Sequence, residues 1–434
     1  MLGQGLRIEG EMMTEQEFGE KAAQAGGRAY IVGGWVRDYL MGGHPHDKDY
    51  VVTGFNSETF QQVFPESWQV GRSFPVFIVN IDNEHREVAM ARRERKIGTG
   101  YHGFVAESDA DISIEEDLYR RDLTVNSIAM DVLTRELVDP YHGQEDIREG
   151  ILQPVSEHFC EDPVRALRAA RFQAKLGFVP SRRLIEYMKA CEPELRQEPG
   201  ERIFGELRRV LEYANPAAYF RMLNMAGLLK SIYPELFAMI GKEQPVEYHP
   251  EGDAFEHTML MLSRVSERTD NIVARFCALC HDLGKGETPE SMLPHHYGHE
   301  VKGLEVLSHW NQRMTMPASW LKAAKYVISE HMRAPRLSKP GKISQLLMSM
   351  NAISRELPVE DFKIIVAADH HSLPLYLQYA QDGINRLKTV TGREAPANLH
   401  GVAVGQWLCQ QRAKICHEWL QEIGFMQRED KVAQ

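Results

Sequence analysis

Short apolar runs broken by glycine, proline and asparagine dominate the first quarter of the chain: Ala29-Tyr-Ile-Val-Gly-Gly34, Asp49-Tyr-Val-Val-Thr-Gly54, Phe74-Pro-Val-Phe-Ile-Val-Asn-Ile-Asp82 and Glu87-Val-Ala-Met-Ala91. Runs of β-branched and aromatic residues between such breaks predict strands, so residues 29 to about 110 read as β-rich. From Glu115 onward the apolar positions recur at helical spacing almost without interruption. The pattern predicts an α+β protein, with a mixed head followed by a long all-α body. Two polar stretches containing proline and glycine, 198–202 and 242–253, are the candidate junctions. No internal repeat and no low-complexity tract is present.

Composition narrows the class. At 434 residues, 43% hydrophobic and 26% charged, the chain is long enough for about three domains and ordinary enough to exclude a disordered or fibrous protein. Fifty basic against sixty-one acidic residues leave a net charge of −11, so any nucleic-acid site must be a local patch. Residues 161–210 form one such patch, with eleven Lys or Arg against eight Asp or Glu. Neither a signal peptide nor an apolar run of membrane-spanning length is visible, and six scattered cysteines fit a reducing compartment. The expectation is a cytoplasmic protein without membrane partners, monomeric or homodimeric. Cys277-Ala-Leu-Cys280-His281 matches the haem-attachment spacing, but haem is attached outside the cytosol and the run is apolar on a helical period, so core packing is the better reading.

Chemistry first shows in the head. Tyr30-Ile-Val-Gly33-Gly34-Trp-Val-Arg37 reads as a strand entering a double glycine and then a helix, a junction where backbone N–H groups can approach a phosphate. Alone, such a pair most often marks a tight turn. Ten residues past Arg37 stands Asp47-Lys-Asp49-Tyr-Val-Val; on a strand both carboxylates would point to one face, and a divalent cation such as Mg2+ relieves their repulsion. A phosphate cradle followed by two metal-binding carboxylates is what nucleotidyl transfer requires, which makes Asp47 and Asp49 the candidate catalytic residues. Glu87 is a candidate third carboxylate.

These motifs, followed by Arg120-Arg121-Asp122-Leu-Thr-Val-Asn126 and by Glu161-Asp162-Pro-Val-Arg165-Ala-Leu-Arg168-Ala-Ala-Arg171-Phe172, resemble the class II bacterial tRNA nucleotidyltransferases of the polymerase β superfamily, the CCA-adding enzymes and the related poly(A) polymerases. The likeness runs from about residue 29 to about residue 370. It implies a polymerase β-like head, nucleotide contacts from Gly33, Gly34, Arg37, Arg121, Asp122, Asn126, Asp162, Arg165, Arg168 and Arg171, and CTP, ATP and the tRNA 3′ acceptor end as partners. Asp162 and Arg165, three apart, would share a helix face and read a base edge. A carboxylate accepts from the amino group that cytosine and adenine both carry, and a guanidinium donates to the neighbouring ring acceptor. Arg168 and Arg171 would continue that face. The glycines of the basic stretch 92–104 suggest a mobile loop, which in the family assists the change from CTP to ATP.

In the second half His257, His281-Asp282-Leu-Gly-Lys285, His295-His296-Tyr-Gly-His299, His331 and Asp369-His370-His371 resemble the HD phosphohydrolase superfamily. The resemblance implies a metal bound by His257, His281, Asp282 and Asp369, with His296, His299 and His331 close by; an imidazole and carboxylate set suits a transition metal such as Ni2+. The expected organisation is an extension over 1–28, a nucleotidyltransferase head over 29–153, a helical neck over 154–250 for base selection and tRNA, an HD phosphohydrolase domain over 251–371, and a helical tail over 372–434. Two other readings stand beside CCA addition. One is a poly(A) polymerase, or an enzyme adding only A or only CC; Ser73 and Ile78 in Gly71-Arg-Ser-Phe-Pro-Val-Phe-Ile78 depart from the poly(A) pattern. The other is an HD nucleotide phosphodiesterase whose head binds a regulatory nucleotide.

Overall fold

The computed structural model describes residues 13–70, 76–96, 104–107, 109–247, 249–370 and 372–426. They form two compact units that part at Glu198–Pro199, inside the polar stretch 198–202, with Met225–Leu228 joining the first.

The first unit begins with α1 (Glu15–Gln24), β1 (Arg28–Val32), α2 (Gly34–Leu40), β2 (Asp49–Thr53), α3 (Ser57–Val63), β3 (Trp68–Val70), β4 (Val76–Ile81), β5 (Glu84–Met90), β6 (Arg93–Lys96), β7 (Phe104–Glu107) and α4 (Ile114–Tyr119). It continues with β8 (Ala129–Asp131), β9 (Leu137–Val138), α5 (Gly143–Glu149), β10 (Ile151–Leu152), α6 (Val164–Leu176), β11 (Val179–Pro180), α7 (Arg182–Ala190) and α8 (Glu192–Leu195). Seven strands make one mixed sheet in the order β3-β4-β5-β2-β1-β8-β9, with β2 and β5 parallel and the remaining neighbours antiparallel. The near-continuous apolar run of β1 is explained by burial on both faces. Ile31, Tyr50, Val52, Phe77 and Val88 pack with Phe18, Phe60 and Phe64, while Tyr30, Val32 and Val51 pack with Ile114 and Leu118. Thus α1, which the sequence left outside the head, supplies part of its core. Thr14 and Glu17 start that helix with a capping box.

Two expectations need correction. Helix does not take over at Glu115: β8 and β9 follow α4, and β8 pairs with β1 in the register Tyr30↔Asp131. Three or four apolar residues carry no period that separates strand from helix, and the open edge of β1 decides the matter. The stretch 92–104 is not simply a loop, because β6 and β7 pair antiparallel from Arg93↔Glu107 to Lys96↔Phe104. Its glycines at 98, 100 and 103 lie outside the described residues, as do residues 71–75, used above against a poly(A) polymerase, and His371.

The second unit is helical: α9 (Gly200–Val210), α10 (Ala217–Met225), α11 (Leu229–Ile232), α12 (Pro234–Phe237), α13 (Ala254–Ser266), α14 (Ile272–Cys280), α15 (His299–Met314), α16 (Ala318–Glu330), α17 (Pro340–Ile353), α18 (Val359–His370), α19 (Leu375–Gln378), α20 (Ala380–Lys388) and α21 (Val402–Glu422). The stretch 242–253 lies within this unit and ends at Asp253, which caps α13 by accepting from the Glu256 N–H. Phe276 and Trp310 are fully buried in its core, and Cys277 and Cys280 are buried there as free thiols, as core packing requires. No helix among the described residues is long and apolar enough to cross a membrane.

Candidate active sites

In the first unit the site grows from the end of β1. Gly33 has φ 71° and ψ −133°, a conformation that side chains strain against, and a Cβ there would come within 3.2 Å of an Arg121 guanidinium nitrogen. The glycine therefore admits Arg121 to the turn. Val32 pairs with Asp49, so the turn stands beside the mouth of β2. The lead-in to β2 is pinned from three sides: Trp35 Nε1 donates to the Pro45 carbonyl at 2.8 Å, Arg86 to the His46 carbonyl at 2.8 Å, and Lys48 to Glu15 at 2.7 Å.

Only Asp49 belongs to the strand itself. Asp47 lies two residues ahead of it, so the pair meets at the strand mouth rather than on one strand face as expected; β2 starts where its pairing with β1 starts. Glu87 lies on β5 one residue before the Tyr50–Val88 pair, alongside Asp49. Burial, then the Glu87 carboxylate, then that of Asp47 push the Asp49 carboxyl above its ordinary pKa, against the opposing charge of Arg121. Carboxylates held so that they repel one another fit a divalent cation. Among the described residues, however, the only donor sets closing within 4.8 Å lie in the second unit. The head site is the more open of the two.

Behind the turn runs one polar chain. Arg37, almost fully buried, donates to Asp38 at 2.8 Å and to Asn126 at 2.5 Å; Asn126 donates to Asp122 at 3.2 Å, and Asp122 accepts from Arg168 Nε at 2.9 Å. Burial alone would raise the Asp122 carboxyl, and the guanidiniums of Arg168 and Arg165 outweigh it and hold the group well below the usual range. The guanidiniums of Arg37, Arg168 and Arg171 lie 5.3, 5.9 and 4.7 Å from the Phe172 ring. Asp162 does not share a helix face with Arg165. It is extended (φ −104°, ψ 107°), because Pro163 follows and α6 starts only at Val164, and Arg165 donates to the His158 carbonyl at 2.6 Å. Asp117 escaped the sequence reading. Fully buried, it accepts from Arg120 at 2.6 Å and from Arg121 at 3.1 Å and so aims the arginine of the turn.

The second unit brings six polar side chains together from five helices. His257 sits on α13, His281 and Asp282 end α14, His299 opens α15, His331 ends α16 and Asp369 lies on α18. Each imidazole is held by its Nδ1: His281 donates to Ala278 O at 2.8 Å, His299 to His296 O at 2.8 Å, His331 to Val327 O at 3.0 Å, and His257 to Glu251 at 2.6 Å. A carbonyl only accepts, so Nδ1 carries the proton and Nε2 presents its lone pair inward, the arrangement that suits a metal ligand. His257 Nε2 lies 3.3 Å from His281 Nε2, 3.2 Å from Asp369 and 3.7 Å from Asp282; His281 Nε2 lies 3.1 Å from Asp282. His257, His281, Asp282 and Asp369 thus converge, and Asp369 Oδ2 is buried without a hydrogen bond. Burial opposes the Asp282 carboxylate, yet the charged groups around it, the Lys285 ammonium among them, hold it far below the usual range. The donor set fits a metal ion, and a divalent ion there would activate an oxygen nucleophile and neutralise a phosphoester.

His296 belongs elsewhere, with its two ring nitrogens at Thr288 Oγ1 and the Glu243 carbonyl, 2.8 and 3.0 Å away. Glu251, which orients His257, and His249 beside it were read only as parts of a junction. Lys285, buried, bridges Asp282 and Gln244, each at 2.6 Å. Gly284 has a steric purpose, since a Cβ there would stand 1.9 Å from the His299 carbonyl oxygen.

Comparison with known proteins finds three family models along the chain. Residues 29–153 match the family model described as the poly A polymerase head domain, 177–240 a probable RNA- and SrmB-binding site of polymerase A, and 223–372 the HD domain. The chain is 37% identical over 409 residues to a multifunctional CCA protein of Acinetobacter baumannii, covering 90% of this chain and 97% of that one. It is 40% identical over 366 residues to a multifunctional CCA protein of Laribacter hongkongensis, covering 83% and 89%. Among solved structures, the Bacillus stearothermophilus CCA-adding enzyme in complex with CTP has a TM-score of 0.62 at 22% identity, over 95% of this chain and 97% of that one. The Thermotoga maritima CCA-adding enzyme complexed with tRNA has a TM-score of 0.58 at 18% identity, over 94% of each. At those identities the structures speak for the fold.

Proposed function

The chain belongs to the multifunctional CCA proteins, tRNA nucleotidyltransferases with an HD domain, and we propose that its head extends the tRNA 3′ end with C, C and A from CTP and ATP using the residues gathered around Gly33. The observation that carries this reading is the meeting of Arg121, Asp49 and Glu87 at the Gly33 turn. In the proposed mechanism Asp47 and Asp49 hold Mg2+, which supplies charge neutralisation and activation of the attacking hydroxyl. Arg121, braced by Asp117, takes the triphosphate, with Gly33 and Gly34 leaving room for it. Asp122 ties that arginine's segment to α6 through Arg168, and Asn126 ties it to α2 through Arg37. Asp162 and Arg165 face the base, and Arg171 with Phe172 closes the set. The local basic excess of residues 161–210 supports acceptor-stem contact through the RNA backbone.

The HD cluster is proposed to be a phosphohydrolase centre in which His257, His281, Asp282 and Asp369 hold a transition metal, Ni2+ being the first ion to test. Reduced thiols and a tRNA substrate support a cytoplasmic site of action.

The deciding experiment gives the chain a tRNA that ends at the discriminator base, with each labelled nucleoside triphosphate alone and in mixtures. Two C additions followed by one A are expected. A poly(A) tail, a halt after CC, or A incorporated only after supplied CC would replace the reading with one of its relatives. No incorporation at all would remove it.

A further inference from the structure

Resting on the reading of Asp47 and Asp49 as the metal-holding pair of the head, we propose that Glu15 on α1 is a positioning residue for nucleotidyl transfer. It holds Lys48 and Tyr50, the two neighbours of Asp49, and so fixes the carboxylate between them. Glu15 is buried. One of its carboxylate oxygens accepts from Lys48 Nζ at 2.7 Å and from the Tyr50 hydroxyl at 2.5 Å, and the other accepts from Arg135 Nη2 at 2.6 Å. Burial opposes the charge of Glu15, and these three donors outweigh it and keep the carboxyl below its ordinary pKa.

The grip and the chemistry lie on opposite faces of the sheet, because side chains alternate along a strand. Tyr50 and Val52 pack on the face that α1 covers with Phe18 and Ala22, and Val51 packs on the other with Ile114 and Leu118. Asp49 shares the face of Val51, as Glu87 on β5 shares that of Ala89. Like charges on Glu87 and Asp47 press on Asp49, and the pairing of β2 with β1 begins only at that residue. Glu15 resists from behind by holding the side chains on both sides of it. Its own place is fixed as well. The Glu15 N–H donates to Asp82 Oδ1 at 3.1 Å in the turn between β4 and β5. Arg135, in the turn between β8 and β9, reaches Glu15 from a left-handed backbone with φ 62°, which side chains rarely adopt. Lys48 Nζ is backed by the Trp35 ring of α2 at 5.1 Å. A helix already docked by Phe18 and Ala22 gains little from a buried ion pair, whose desolvation offsets its attraction, so the tie is better accounted for by what it holds.

The test measures C addition by the full-length chain to a tRNA ending at the discriminator base, with CTP and Mg2+ titrated in turn, at a temperature where circular dichroism shows each variant folded. An amide offers one acceptor oxygen to three donors, so Glu15→Gln loosens the grip at nearly constant volume. A fall in kcat of about 10- to 100-fold and a several-fold higher Mg2+ midpoint are expected, with KM for CTP within about two-fold of wild type because Arg121 and α6 are untouched. Lys48→Met should act in the same direction, and the double variant Glu15→Gln/Lys48→Met should lose much less than the product of the two single losses. Ala22→Gly, which loosens α1 away from the carboxylate, should lower Tm and leave kcat and the Mg2+ midpoint as they are. Full rate and an unchanged Mg2+ midpoint in Glu15→Gln overturn the proposal. So do losses from Glu15→Gln and Lys48→Met that multiply, or a loss in Ala22→Gly equal to that in Glu15→Gln, which would make Glu15 a packing residue. Should Glu15→Gln not fold, Tyr50→Phe removes one donor of the grip and is judged by the same two readings. Asp49→Ala separates the proposal from the reading beneath it. Unaltered incorporation in Asp49→Ala removes the metal pair itself, whereas background incorporation there beside full rate in Glu15→Gln removes only the role of Glu15.

Discussion

At the residue scale, the head site depends on one backbone angle and a few charges. Gly33→Ala places a methyl in a left-handed conformation 3.2 Å from Arg121, so a loss of about 1–3 kcal/mol and a several-fold higher KM for nucleotide are expected. Urea unfolding and steady-state kinetics measure the two effects, and an unchanged KM would detach Arg121 from the nucleotide. Asp49→Ala is expected to reduce incorporation to background, and unaltered incorporation would sink the assignment. Arg165→Ala tests base selection. A relaxed preference for C and A over U and G is expected in misincorporation assays, and retained selectivity would remove Arg165 from base selection.

Elements hold these residues in place by burial and by charge. Asp117 shows both effects on α4: burial pushes its carboxyl up, but Arg120 and Arg121 outweigh this and hold it at about 2. A carboxylate with a depressed folded-state pKa stabilises above its unfolded pKa and loses that contribution as pH falls towards the folded value. Asp117→Asn should therefore destabilise the head at pH 7 by about 2 kcal/mol. The gap to wild type should narrow below about pH 4 and nearly close by about pH 2. A gap independent of pH in denaturant titrations would show packing rather than charge. In the second unit the 3-10 turn after α14 presses on the start of α15, so Gly284→Ala is an overpacking change of about 1–3 kcal/mol or more. Displacement of His299 from Asp282 should appear as weaker metal retention, and full retention would argue against this packing.

For the whole molecule, two units with separate cores imply separable chemistry. Asp282→Ala is expected to abolish the proposed phosphohydrolase activity while C and A addition continues, and loss of both would argue against independent sites. Much of this division was legible along the chain. Alternating strands and glycine breaks marked the head, helical spacing marked the rest, and the motifs at Gly33, Asp47, Arg121, Asp162 and His281 were readable because local chemistry demands those residue types close together in sequence. What the chain alone could not show is what depends on partners distant in sequence. The phenyl ring of Phe18 belongs to the head's core because the sheet's face needs covering. Ala129–Asp131 is a strand because β1 has an open edge. Glu87 stands beside Asp49 through a parallel pairing 38 positions away. Asp282 gathers histidines from α13, α15 and α16. Sequence determined which groups were present and which local turns they could make; only the tertiary structure decided which lone pairs and charges meet, because that follows from long-range packing.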